Sequence, residues 1–394
     1  MTFDVPERTV LLTIAGSRAY GLHTPTSDVD LKGVCVPPAR WYHGFALRFE
    51  QADAPEHLAP FAAVLDDEER AAASATKLEG SVYELRKFVS LAAEANPNIL
   101  DVLFCRDAEV RLSSRVGERL RHHRGAFLSQ RAKHTFSGYA TAQLKRIKGH
   151  RKWLLDPPKG MPTRAEHGLP EHTLIPADQL AAANAAVRKQ MDRWELDFTG
   201  VPDATVVAVQ ERIASVLTEM RTGLGLAGDD DDARFLAAAR HVGLDDNLVL
   251  VMQREREYEA AARHWRQYEH WRTSRNPARA ALEAAHGYDT KHAGHLVRLL
   301  RMGQEILTTG EVHVWRGPSG EPGAPQDAEE IRAIRAGAWS YDELVAWAEA
   351  QDAALDAVLR ERRAVVPKAP DRPALDELCV ALVEDVLRDG VVRT

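Results

Sequence analysis

The first apolar run, Val10-Leu-Leu-Thr-Ile-Ala15, is short, nearly unbroken and flanked by polar residues, the pattern of a buried strand. Gly16-Ser17 turns the chain, and Arg18-Ala-Tyr20 reads as a short helical turn. A breaker cluster with Pro25 inside it, Gly21 to Ser27, separates this from a second strand, Asp28 to Val36. Residues 37–49 read as a loop and short helix, and 50–77 as a weakly patterned surface excursion carrying Asp66-Asp-Glu-Glu69. Tyr83, Leu85, Phe88, Leu91 and Ala92 recur at helical spacing, predicting a helix over 82–95 that Asn96-Pro97-Asn98 stops. Ile99 to Phe104 is a further short apolar element.

From about residue 110 the pattern turns helical. Arg131 to Trp153 reads as one long helix, 156–205 as a Pro/Gly-interrupted wrap, and Val206–Leu224 and Leu248–His270 as helices. In Tyr288 to Met302, Ala293, Leu296, Val297, Leu299 and Leu300 share an apolar arc, with Lys291, His295, Arg298 and Arg301 opposite. Val312–Trp315 reads as a small strand, 318–326 as a loop, and 328–335, 341–363 and 373–388 as helices of a bundle. The run Asp229–Asp232 is best explained as a cap or loop, since consecutive acids cannot all face one ion.

Chemistry enters at the second strand. Side chains alternate faces there, so Asp28 and Asp30 point one way while Val29 and Leu31 enter the core. Two carboxylates on one face repel unless a cation separates them, and hard oxygen donors favour Mg2+ or Mn2+. Gly16-Ser17, at a strand-to-helix junction, offers N–H groups and a hydroxyl suited to a phosphate. A triphosphate with its metal would engage both halves.

Two basic stretches extend this picture. Residues 131–153 contain seven Lys or Arg and no acid, and Tyr139, Gln143 and Arg146 fall on one helix face, with Lys145 beside them. In a chain of net charge −7, an acid-free basic helix reads as a phosphate-facing surface. The arc Lys291, His295, Arg298 and Arg301 likewise suits triphosphate oxygens, His295 having the alternative of a buried core histidine. Aromatic Trp265, Tyr268 and Trp271 read as packing residues.

The charge balance excludes a broadly basic nucleic-acid coat protein, and 45% hydrophobic with 28% charged residues is ordinary for a globular protein of two or three domains. Three scattered cysteines indicate neither a zinc motif nor a disulfide framework. With no leader and no apolar run long enough to span a bilayer, the expectation is a cytoplasmic protein without a membrane partner.

Gly16-Ser17 followed by Asp28-x-Asp30 resembles the signature of the DNA polymerase beta-like nucleotidyltransferase superfamily. The string GSRAYGLHTPTSDVDLKGVCVPP resembles one branch, the YcgL/RlaP-type proteins, described as predicted RNA-repair nucleotidyltransferases. Similar segments recur at YELRKF, NPNILDVLF, TFSGYA and YDTKHAGHLVRLLRMGQEILTTGEV. The resemblance implies an α+β fold: a catalytic core of small mixed sheet and helices at 1–108, then helical regions at 109–228 and 229–394. It implies transfer of a nucleotide from an NTP to a hydroxyl, an RNA end first among acceptors, with two Mg2+ or Mn2+ ions. It also implies a third carboxylate beside Asp28 and Asp30, from a neighbouring strand. Glu79 is the first choice; Glu84 is the runner-up, alternatively a helix N-terminal charge; Asp101 is third, more simply solvent-facing. Gly16, Ser17, Arg18, Lys291, His295 and Arg298 are then the expected nucleotide-binding residues, and Tyr139, Gln143, Lys145 and Arg146 the expected RNA-phosphate contacts.

Overall fold

Seven consecutive buried residues, Thr9–Ala15, form β1, which runs antiparallel to a neighbour on each side. The structure, a computed structural model, describes residues 3–173, 176–193, 235, 238–319 and 323–394. The sheet adds β2 (Val29–Cys35), β3 (Gln51–Ala52), β4 (Leu78–Glu84) and β5 (Val110–Ser113), in the order β3-β4-β2-β1-β5. It is mixed, because β2 and β4 run parallel while the other pairs are antiparallel. β5 lies beyond residue 108, so the expected core limit cuts the sheet one strand short.

Both faces are covered, and this corrects the reading of 50–77 as a surface excursion. Leu58, Phe61 and Leu65 from that stretch pack on Leu12, Ile14, Val29 and Leu31. The acids behind them form α1 (Asp67–Ala75), capped by Asp66 in a capping box, and Glu69 is buried against Arg111. The other face, carrying Val34, packs on the helices that follow. These are α2 (Leu85–Ala93), α3 (Pro97–Phe104), α4 (Arg115–His122) and α5 (Arg131–Leu155). Further along come α6 (Ala177–Arg193), α7 (Asp246–Ser274), α8 (Pro277–His286), α9 (Thr290–Thr309), α10 (Ala328–Arg335), α11 (Tyr341–Arg360) and α12 (Arg372–Asp389).

Two boundaries move for local reasons. Tyr83 belongs to β4 rather than to a helix from 82, because Glu84 is the N-cap that starts α2. Its carboxylate accepts from the backbone N–H groups of Arg86 and Lys87. Asn96 does not merely stop a helix; it caps α3, with Pro97 at the first turn. Residues 312–315 form no strand. The sequence-predicted helix at 206–224 and the Asp229–Asp232 run lie outside the described residues.

The chain divides into two compact units, and the division is discontinuous. Met1–Asp156 and Asn276–Thr394 make one unit; Pro157–Arg275 make the other. The first joins the sheet to α9 through α12, so the sheet and the C-terminal helices are not separate domains. α5 and α9 pack on each other in that unit. No helix among the described residues is long and apolar enough to cross a membrane.

Candidate active site

Asp30 sits on β2 opposite Ala15 of β1 and in register with Glu79 of β4. Neighbouring strands lie about 4.8 Å apart, so the paired Asp30 and Glu79 side chains leave the sheet side by side. Asp28, exposed and one residue before β2, shares their side by alternation. Glu84 is paired with Cys35 at the far end of these strands, buried, and accepts a hydrogen bond from Tyr42. Of the two glutamates, only Glu79 stands beside the Asp pair. Its carboxylate is turned to Lys77, a partner it would exchange for an ion.

Gly16 closes the group from below. Its φ is +61°, and a Cβ there would overlap the Oδ2 of Asp30. Only glycine combines that backbone with so close an approach to a carboxylate. Gly16→Ala is therefore expected to cost about 1–3 kcal/mol of stability in urea denaturation, and to displace Asp30.

The electrostatics fit a cation. Burial pushes the pKa of Asp30 up, and the charges of Glu79 and Asp28 add to it, while Lys32 and Lys291 oppose. An all-oxygen set of three carboxylates on one side of the sheet, with Asp30 strained toward protonation, matches the donor preference of Mg2+ or Mn2+. Arg18, expected on phosphate, is buried and its Nη1 donates to Glu68 at 3.2 Å. Ser17 lies next to Gly16 in the short turn Gly16–Ala19.

Lys32 is a site-lining residue that the spacing argument passed over. It lies two positions past Asp30 on the same face, and its Nζ donates to the carbonyl of Asn98 at 3.2 Å. Burial lowers its pKa, although Asp101 and Asp30 support its charge. Period-2 counting onward from Asp30 would have found it.

The α9 arc splits apart in three dimensions. Lys291 is exposed and its charge reaches Asp30. His295 is half-buried, with Arg298 Nη2 at 3.3 Å from its Nδ1. Arg298 is 1% exposed, stacked 3.6 Å from the ring centroid of Tyr20, with Nη1 at 3.6 Å from Asp101 Oδ1. Asp101, read as solvent-facing, is buried and accepts from Tyr20 Oη at 2.6 Å. The expectation of Arg298 as a phosphate contact is corrected: a guanidinium this enclosed reaches no solvent-borne triphosphate. Arg301 pairs with Asp327 and Glu330, acids from another element.

The turn after Gly16-Ser17 is gripped from the C-terminal region. Arg316 N–H donates to the Tyr20 carbonyl at 3.2 Å, and Arg335 Nη1 to that of Leu22 at 3.0 Å. Arg332 donates to the Gly21 carbonyl between them. Arg316 itself is fully buried between Glu305 and Asp327.

His295 gives the site a pH response. Burial first, then the charges of Arg298, His292, Lys32 and Arg146, hold its pKa well below the ordinary histidine value. The unfolded chain then binds a proton that the fold refuses, so this contribution to stability is present above about pH 6.5 and lost as pH falls below it. His295→Gln should flatten the decline of the urea midpoint between about pH 6.5 and 5.

Part of the basic α5 surface is already neutralised. Arg131 pairs with Glu94, and Lys133, nearly buried, places Nζ 2.6 Å from Asp356 Oδ1. Tyr139 Oη accepts from Asn96 Nδ2 at 2.8 Å, and Gln143 is buried with its Oε1 lacking a hydrogen-bond partner. The expected one-face grouping therefore holds in angle but not in exposure, leaving Arg146 as its exposed member, with Lys145 exposed on the adjoining face.

A family model described as "RlaP: RNA repair pathway DNA polymerase beta family" matches residues 3–154. An uncharacterised 38.9 kDa protein of Enterobacteria phage T4, from the nrdC–mobD intergenic region, is 33% identical over 98 residues. That match covers 24% of this chain and 25% of the phage protein, so the chain spans about a quarter of the relative's length. No solved structure matches. The five-stranded mixed sheet, with helices on it and a large helical region after it, is consistent with a polymerase beta-like core, and the match covers every strand. Residues 3–154 of this chain are thus similar to the RlaP family, whose model is described as the DNA polymerase beta family of an RNA repair pathway.

Proposed function

We propose that the chain is a divalent-metal-dependent nucleotidyltransferase that moves a nucleoside monophosphate from an NTP to a hydroxyl, most directly that of an RNA end. The observation that carries this reading is the register of Asp30 with Glu79, with Asp28 beside them and Gly16 against the Asp30 carboxylate. Asp28, Asp30 and Glu79 would hold two Mg2+ or Mn2+ ions. When bound, such ions neutralise triphosphate charge and stabilise the attacking and leaving oxygens. Gly16 and Ser17 supply backbone and hydroxyl donors to phosphate oxygens, and Lys291 a point charge whose field reaches Asp30. Arg298, Tyr20 and Asp101 position the turn rather than touch the nucleotide.

RNA as acceptor draws on the family description and on the exposed pair Lys145 and Arg146. Phosphate contacts release counterions, so RNA affinity should fall steeply with salt. Changing both residues to Ala should weaken binding across sequences and reduce the salt slope by about two, one per lost contact. A filter-binding series in salt reads both.

A second reading, transfer to a protein or small molecule, is favoured by the neutralisation of Arg131 and Lys133 within α5. Incubation with each α-labelled NTP and Mg2+ or Mn2+, with and without a small-RNA pool, separates the two. Label in RNA that disappears with Asp28→Ala supports the first reading. Label on protein supports the second, and no transfer to any acceptor would sink both.

A further inference from the structure

The last turns of α5 and the start of α9 bring together three side chains outside the carboxylate site. His150, Asp289 and His292 each offer one donor atom, and these atoms lie within 4.8 Å of one another. Asp289 is fully buried, while the imidazoles keep 17% of their side-chain surface. His150 Nδ1 stands 3.0 Å and His292 Nδ1 2.6 Å from the same oxygen, Asp289 Oδ2. Asp289 is also the N-cap of α9, its other oxygen accepting from the His292 backbone N–H at 3.2 Å.

The hydrogen-bond count around this oxygen does not close. Arg279 Nη2 contacts Asp289 Oδ2 and lies 2.7 Å from His292 Nδ1. A guanidinium N–H only donates, so His292 Nδ1 would have to accept from it. The same nitrogen would have to donate in order to rest against a carboxylate oxygen. One proton cannot satisfy both. A cation in the position of the Arg279 Nη2 resolves the conflict, taking lone pairs from both imidazoles and the carboxylate. Arg279 has an acid to retreat to, since its Nε already donates to the buried Glu283 at 3.1 Å.

We propose that His150, Asp289 and His292 bind a divalent transition ion, zinc foremost, in place of the Arg279 guanidinium. Two imidazoles and a carboxylate form a borderline donor set, unlike the all-oxygen set of Asp28, Asp30 and Glu79. Zinc bonds of 2.0–2.2 Å would set tetrahedral donors about 3.3 Å apart, so the two His–Asp spacings of 3.0 and 2.6 Å need open by less than about 1 Å. The ion would tie α5 to α9, the helices that carry Arg146 and Lys291. It is a structural clasp, independent of which nucleotide or acceptor the enzyme uses.

The test uses the chelator-treated full chain carrying Asp28→Asn and Asp30→Asn, so that the carboxylate site does not contribute. Calorimetric titration with zinc chloride should show one saturable equivalent. Adding His150→Ala or His292→Ala should abolish it, as should His292→Gln, which keeps side-chain volume and guards against a folding artefact. Arg279→Gln should shift binding to tighter affinity, and zinc should raise its melting temperature more than the parent's. No stoichiometric zinc in the parent, or binding unchanged by the histidine substitutions, overturns the site. Weaker zinc binding in Arg279→Gln overturns the displacement and leaves an ion-pair cluster.

Discussion

Asp30→Asn should lower nucleotide transfer by at least about 10³-fold while raising the thermal stability of the metal-free protein. The two effects have one origin. Asp30 is desolvated and faces Glu79 and Asp28, so its ionised form is costly and its pKa is raised. A carboxylate whose pKa is raised by folding loses stability as pH climbs from its unfolded value through the folded one. The amide carries no charge and escapes that loss, so the gain in melting temperature should be larger at pH 8 than at pH 4. The same change removes a carboxylate that would hold metal against substrate. Losing about 4 kcal/mol of transition-state stabilisation gives the 10³-fold figure. Measurements of label transfer and of melting at both pH values check the pair. An Asn variant that remains active would refute the site; one that is inactive but less stable at pH 8 would refute the repulsion argument.

Arg298→Ala should destabilise the protein by about 3–5 kcal/mol, the usual consequence of leaving a buried partner charge uncompensated. Arg298 and Asp101 are both almost wholly enclosed, and the guanidinium also covers the Tyr20 ring. Once it is gone, Asp101 keeps the Tyr20 hydroxyl and the charge of Lys32 but loses its nearest cation. The stacked surface over Tyr20 becomes a cavity as well. Urea denaturation measures the loss directly, and a cost below about 1 kcal/mol would mean that the pair is solvated. Lys at this position keeps the charge without the planar stack, so it should recover only part of the loss.

Local pattern revealed what local pattern determines. β1 and β2 were legible because an apolar run and a strict alternation each have one good explanation. α10 was read with its observed limits because apolar positions and flanking breakers agree. The stretch 50–77 misled because its helices are short and contribute few apolar residues each, although Leu58, Phe61 and Leu65 fill one side of the sheet. β5 has four residues, all half-buried, too short for any period to emerge. At the site, the Asp28-x-Asp30 spacing and the position of Glu79 were readable; the neighbours of Arg298 were not. Helical periodicity says that Arg298 faces away from the apolar arc, but not that Asp101 and Tyr20 wait on that side. The grip of Arg316, Arg332 and Arg335 on residues 20–22 spans about three hundred positions and leaves no local trace.

The interruption of the sheet-bearing unit by residues 157–275 sets an order of events during synthesis. Chains emerge N-terminus first at about 5–20 residues per second. All five strands and the three carboxylates are therefore outside the ribosome well before α9 and α10 exist. Through that interval Asp101 and Lys32 have no Arg298, and the carbonyls of residues 20–22 have no arginine partners from the C-terminal helices. A nascent chain stalled before residue 290 would carry all three candidate metal-binding carboxylates but not the helices that hold the neighbouring turn in place. Ribosome-bound chains of graded length should thus acquire protease resistance in the strands only after Arg335 has cleared the exit tunnel, making competence a late event in translation.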